Sequence, residues 1–166
     1  MEAGDTQQFR AAFANIKALF DERKSDGLVC KQGFYRDCPV LKLQKPSWTN
    51  DPMDRVENKT GIFFSVWIDK KAATQGRAKY NIHALKLRHL EGYSITSRDF
   101  ANDCRKHFAS VRNAWPNVSV DCGPLTLMQG WIKVDPKSLE TEALALLERF
   151  QLLSPLIDRL LGARRR

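Results

Sequence analysis

The stretch that decides the fold is residues 61–87, GIFFSVWIDKKAATQGRAKYNIHALKL. Ile62, Phe64, Val66 and Ile68 alternate with Phe63, Ser65, Trp67 and Asp69, the two-residue period of a strand with one wholly apolar face and one partly aromatic face. Tyr80, Ile82 and Ala84 alternate with Lys79, Asn81 and His83, and Leu85 and Leu87 continue apolar, which predicts a second strand. The residues between, 70–78, contain Gly76 and three cations and read as a long hairpin loop with a basic tip.

Working towards the N-terminus, residues 46–60, PSWTNDPMDRVENKT, carry two prolines, two asparagines and no apolar period. They form the longest irregular connection and the place for a lid or binding loop, anchored by Trp48 and Met53. The favoured alternative tucks both side chains onto the sheet. Residues 28–45 read as two short strands around a turn at Gly33 or Asp37. Pro39 belongs at the start of the second strand or on an edge, because it has no N–H to donate. Before them, Asp5 with Gln8 three residues on has capping-box spacing. Phe9, Ala12, Phe13, Ile16, Leu19 and Phe20 then recur at three and four, predicting a helix that ends by Lys24 and buries its aromatic stripe in the core.

Towards the C-terminus, Thr96 with Asp99, or Ser97 as the cap, opens a helix whose stripe is Phe100, Cys104, His107 or Phe108, and Val111; it stops at Trp115-Pro116-Asn117. Arg98, Arg105 and Arg112 lie seven apart and would line up along one side of that helix. Residues 118–120 and 125–128 flank a turn signal at 121–124, a hairpin or a bent strand, and 130–134 continue the strand pattern. Asp135 caps a last helix with Pro136 at its first position. Leu139, Ala143, Leu146 or Leu147 and Phe150 form its stripe, and Ser154-Pro155 is expected to break or kink it. Arg164-Arg165-Arg166 closes the chain as a basic tail, residues 163–166, expected to be disordered. The predicted order gives one α+β domain over residues 1–162. It has a single mostly antiparallel sheet of about five to six strands, with helices on one face, among them an N-terminal and a C-terminal one.

A chain of 166 residues, 43% hydrophobic and 28% charged, is long enough for one ordinary core. No apolar run approaches a membrane span, and the acidic, polar start MEAGDTQQFR does not read as a signal peptide, so the expectation is a cytoplasmic protein without a membrane partner. Cys30, Cys38, Cys104 and Cys122 include no C-x-x-C pair, so they are read as free thiols of a reducing compartment and no metal is expected. The three histidines have no nucleophile or carboxylate at motif distance, and there is no P-loop, G-x-G-x-x-G or G-x-S-x-G. No catalytic residue and no cofactor is assigned, and the reading leans away from an enzyme.

Net charge is +8, and its distribution is uneven. Residues 61–115 carry 10 Lys/Arg against 4 Asp/Glu, whereas the segments on either side are each within one charge of neutral. The excess sits on the central hairpin and the helix after it, and a concentrated positive field favours nucleic acid or an acidic protein surface.

The sequence from Ile62 through the basic helix and the Gly130-Trp131-Ile132 strand into residues 136–153 resembles the small MmcQ/YjbR-like proteins, which share a hairpin, a helix, a Trp-bearing strand and a terminal amphipathic helix. Those proteins usually carry His-Trp where this chain has Gly130-Trp131. The resemblance covers roughly residues 60–153 and implies DNA binding through a sheet-and-helix surface.

Three functions from different classes follow. The leading one is a nucleic-acid-binding module, for DNA or RNA. It uses Lys70, Lys71, Arg77 and Lys79 at the hairpin tip and Arg98, Arg105 and Arg112 on the helix, with Trp67 or Tyr80 for stacking. The first alternative is a protein-interaction or adaptor domain of a host-defence, phage or toxin-related system, which meets an acidic partner through the same patch or through the Trp48 loop. The second alternative is a small enzyme or ligand-binding protein with a pocket between sheet and helices that collects His83 or Asp69 with basic residues. A sheet face left uncovered, bearing Trp67, Lys79 and His83, would be a binding platform.

Overall fold

The structure, a computed structural model, describes residues 3–23, 27–54, 56–57, 59–108 and 112–166. Five antiparallel strands form one sheet in the order of the chain: β1 (Val29–Tyr35), β2 (Cys38–Gln44), β3 (Gly61–Trp67), β4 (Arg77–Leu85) and β5 (Thr126–Lys133). Four helices accompany them: α1 (Ala3–Arg23), α2 (Lys70–Thr74), α3 (Ser97–Phe108) and α4 (Leu139–Gly162). α1 packs on β1 and β2 and against α4, and α3 packs on β4 and β5 and against α4. The predicted α+β class and one-sided helical layer are both present.

The alternation in β3 and β4 explains the layering. Ile62, Phe64, Val66 and Ile68, with Tyr80, Ile82 and Ala84 opposite, are all buried on the helical side. Phe64 stacks on Phe150 of α4 at 4.6 Å between ring centroids, and Trp48 meets its edge at 5.5 Å. Tyr80 and Trp115 close around Phe150 at 6.2 and 5.1 Å. Burying a large aromatic side chain contributes about 1.5–3 kcal/mol, so this cluster is the main anchor between sheet and helix. Trp48 thus takes the tucked position, its indole N–H donating to Asp158 Oδ1 at 2.8 Å, while Met53 stands 91% exposed. Gly61 opens β3 at φ +146, where an added Cβ would lie 2.5 Å from the Trp48 carbonyl oxygen. Only glycine allows the loop to pass that close.

Several sequence expectations are corrected. The β1–β2 turn falls at Arg36-Asp37, both at positive φ as a two-residue hairpin of primed type needs, and Gly33 lies within β1. α1 begins at Ala3, so Asp5 lies inside the helix instead of capping it. The hairpin tip is not a plain loop. Asp69 accepts the Ala72 N–H at 2.7 Å and caps the five-residue α2. Residues 118–120 form no strand and touch β5 through a single bridge, Ser119 to Gln129. α4 runs through Pro155 as one helix, since intact turns on both sides and burial of Leu153 and Ile157 hold it together. α3 ends at Phe108; Val111 of its predicted stripe lies outside the described residues, and Arg112 belongs to a separate single turn, Arg112–Ala114. The C-terminal arginines make contacts with the rest of the chain. Arg164 reaches Asp103 at 3.4 Å, Arg165 bridges Tyr93, and the Arg166 N–H donates to the Gly92 carbonyl at 3.1 Å.

Candidate functional site on the helix-free sheet face

Side chains that alternate with the core residues emerge on the face that no helix covers. Across the strands they form registered rows: Lys42, Ser65, Asn81 and Gln129 in one, Val40, Trp67, Lys79 and Trp131 in the next, and Phe63, His83 and Thr126 on the other side. Residues 52–54 and 56–57 fold back over one part of this face, while Trp48 stays on the helical side. Lys31 Nζ donates to the Pro52 carbonyl at 2.6 Å and to that of Asp54, and Lys42 Nζ donates to the Glu57 carbonyl at 3.4 Å. Together with the β1–β2 turn the loop turns the sheet surface into a cleft of about 600 Å³. Ser65, Asn81, Phe63, Trp67 and His83 line it from the sheet, Tyr35, Arg36 and Cys38 from the turn, and Val56, Glu57 and Lys59 from the loop.

Its polar groups are joined. The Ser65 hydroxyl donates to Asn81 Oδ1, and Asn81 Nδ2 sits 2.7 Å from His83 Nε2. An amide N–H facing Nε2 makes that nitrogen the acceptor, which leaves the imidazole proton on Nδ1, facing Thr126 Oγ1 at 3.2 Å and the Leu125 carbonyl at 3.4 Å. Burial lowers the His83 pKa, partly offset by the Leu125 carbonyl, so the ring is neutral at pH 7. Its edge meets Phe63 at 5.2 Å between centroids. Lys42 is fully buried with its ammonium 5.2 Å from the Phe63 ring centre. Desolvation, reinforced by Lys31 and opposed by Asp54, pulls its pKa down to about 8. Asp69, at the cleft's other end, is desolvated, which raises its pKa, but the hydrogen bonds from Lys79 at 2.8 Å and from the Ala72 amide outweigh this and leave it lowered. The Cys38 thiol is pushed up by burial and by Asp69 and Asp37, so it is not an activated nucleophile.

The structure separates the residues that sequence spacing had grouped. Lys70 and Lys71 are exposed on α2, beside the sheet. Arg77 lies with its guanidinium 3.7 Å from the Trp131 ring centre, paired across from Lys133, and Lys79 is ion-paired with Asp69. Trp67 is half-buried at the cleft. Tyr80 is wholly buried on the opposite side, donating its hydroxyl to the Pro116 carbonyl at 2.5 Å, and offers no ring for stacking. The row of three arginines is not assembled. Arg98 is exposed on α3, but Arg105 turns back to the edge of β5, donating to the carbonyls of Leu127, Thr126 and Gly123, and Arg112 is beyond the helix with its side chain outside the described residues. The cleft lies on the open face; a smaller cavity of about 430 Å³ lies between the end of the sheet and the helices, lined by Phe9, Ile68, Ala73, Arg77 and Leu139.

Phe63, Ser65, Asn81, Arg36 and Lys59 were not singled out from sequence. The period-two pattern already assigned the first three to the face carrying Trp67 and His83. Nothing local marks the turn and loop residues, which reach the cleft only through the β1–β2 hairpin and the returning loop.

Among the described residues, no three His, Cys, Asp or Glu side chains gather as a metal site, and no helix is long and apolar enough to cross a membrane. Comparison with protein-family models, curated proteins and solved structures finds no match for this chain.

Proposed function

We propose that this chain is a binding module that holds single-stranded nucleic acid on the helix-free face of its sheet. The observation that carries the reading is the interleaving of aromatic rings and cations there. Trp67 and Trp131 lie on either side of Lys79 in one cross-strand row, Arg77 covers Trp131, and Lys133 is paired across from Arg77. Bases stack on aromatic rings whatever their sequence, each for about 1–3 kcal/mol, while cations track the phosphates. A duplex is a poorer fit, because its bases are already stacked and a sheet studded with Trp side chains gains nothing from them. Of the surface expected on the hairpin tip and the following helix, this reading keeps Trp67, Arg77 and Lys79 and leaves out Arg105, which bonds to β5, and Tyr80, which is in the core.

The test is a titration of nuclease-treated protein with short single- and double-stranded DNA and RNA at two salt concentrations. Single strands should bind more tightly than duplexes, with log K falling linearly against log salt. Lys70→Glu with Lys71→Glu should lower affinity and flatten the salt slope by roughly one to two phosphates. Trp131→Ala should weaken single-strand binding about tenfold, the worth of one stacked base. No saturable binding at low salt removes the reading.

A further inference from the structure

We propose that the cleft walled by Val56, Glu57 and Lys59 on the helix-free face is a nucleotide pocket that takes one base, either from the bound strand or from a free mononucleotide, and reads its edge with Ser65 and Asn81. The inference rests on the nucleic-acid reading above and names what this part of the surface recognises.

Size and wall chemistry come first. A cleft of about 600 Å³ with mainly apolar walls and a few convergent polar groups falls within the range of small-molecule sites. It is wider than a side chain needs and too confined for a folded partner. Phe63 and Trp67 project from the same face of β3 four residues apart, about 13 Å at strand rise, with Ser65 midway. One heteroaromatic ring system fits between them, its face against one ring and its edge over Ser65.

Hydrogen-bonding capacity selects the ligand class. An Asn amide has two N–H donors and an oxygen with two lone pairs. The bonds within the row use one N–H of Asn81, towards His83 Nε2, and one lone pair, from Ser65. A second N–H and a second lone pair remain on the Asn81 amide, and Ser65 retains its acceptor lone pairs. An adjacent donor and acceptor match the edge of a nucleobase, which presents the same pair in reverse. A hydrocarbon or a simple anion would leave them unmatched, and a polar group stranded by the ligand costs affinity. His83, held neutral with its proton on Nδ1, fixes which way the Asn81 amide faces. At the rim, Arg36 and Lys59 supply two cations against Glu57, while Asp69 is already neutralised by Lys79. The rim therefore suits a phosphate better than a cation.

Calorimetric titration of the full chain with the four ribonucleoside monophosphates, the matching nucleosides, ribose 5-phosphate and short single-stranded oligonucleotides tests this. At least one monophosphate should bind saturably at one site, its nucleoside more weakly, and ribose 5-phosphate at least tenfold more weakly. Ser65→Ala and, on the exposed turn where folding is not at stake, Arg36→Glu should each weaken the preferred monophosphate about tenfold. Ribose 5-phosphate binding as tightly as the nucleotide, or unchanged affinity in both variants, overturns the pocket. Oligonucleotide binding without any mononucleotide binding also overturns it and leaves the platform standing, whereas binding of neither removes both.

Discussion

Lys42 is the least comfortable residue in this molecule: an amine with no exposure, over a ring, bonded to a loop carbonyl. Its folded pKa of about 8 lies below the ordinary 10.5. Below pH 8 both folded and unfolded forms hold the proton, and the folded form carries the desolvation of that charge. Between 8 and 10.5 the unfolded chain keeps the proton that the folded chain has released, so stability rises with pH across that window. The thiol of Cys104, pushed up to about 12 by burial, and the Tyr80 hydroxyl, raised by burial, act in the opposite sense above pH 9 to 10. Urea unfolding of wild type and Lys42→Met cancels those shared groups. Lys42→Met should be as stable as wild type or more so at pH 7, and the difference should shrink by pH 10; a constant difference would show that Lys42 is not desolvated. Gly130 states the opposite kind of constraint, one of space. A Cβ there would meet the Tyr80 hydroxyl oxygen at 2.5 Å, and that ring is buried and held by Pro116. Gly130→Ala should cost about 1–3 kcal/mol by overpacking, read as a lowered urea midpoint with an unchanged m-value.

At the scale of elements, helix α3 and the hairpin tip show why a basic segment is not a basic surface. α3 presents Phe100, Cys104 and Phe108 to the core, and the predicted stripe is right as far as the helix extends. Arg105 is placed beside the outer strand, where edge carbonyls need donors, and it donates to two of them, Thr126 and Leu127, and to the Gly123 carbonyl before the strand. Arg105→Ala should therefore lower stability by about 1–3 kcal/mol while leaving the salt slope of oligonucleotide binding as it is. A flattened slope without destabilisation would return Arg105 to the binding surface. The tip is organised by Asp69, which caps α2 and pairs with Lys79, so two of the cations counted there are presented by a helix and one is neutralised. Spacing in sequence supplied the strands but not the cap, because residues 70–78 read as a loop. It did not supply the edge of β5, because an unpaired strand edge exists only once the sheet has been assembled.

The whole molecule has two faces of opposite meaning, and substitutions should respect the division. Phe64→Asp should abolish cooperative folding, since it puts an unpaired carboxylate against Phe150 in the filled interior. A soluble variant with a sharp melting transition would mean the inward face is misassigned. On the open face, the lowered His83 pKa gives a mild acid limb. As pH falls through 6.5, the unfolded imidazole takes a proton that the folded ring resists, so stability declines. His83→Gln should remove that limb, as followed by thermal melts between pH 5 and 7. By itself the sequence determined the two alternating strands, the helices with their stripes, the α+β class and the membership of each face, because periods of 2 and 3.6 are set by local geometry and by the exclusion of apolar side chains from water. Only the tertiary structure decided which face is covered, that Pro52, Asp54 and Glu57 return over the sheet onto Lys31 and Lys42, and that Ser65, Asn81 and His83 meet Arg36 and Lys59 in one cleft. Those relations join residues far apart in the chain through strand register and loop closure, and no local pattern of side chains encodes them.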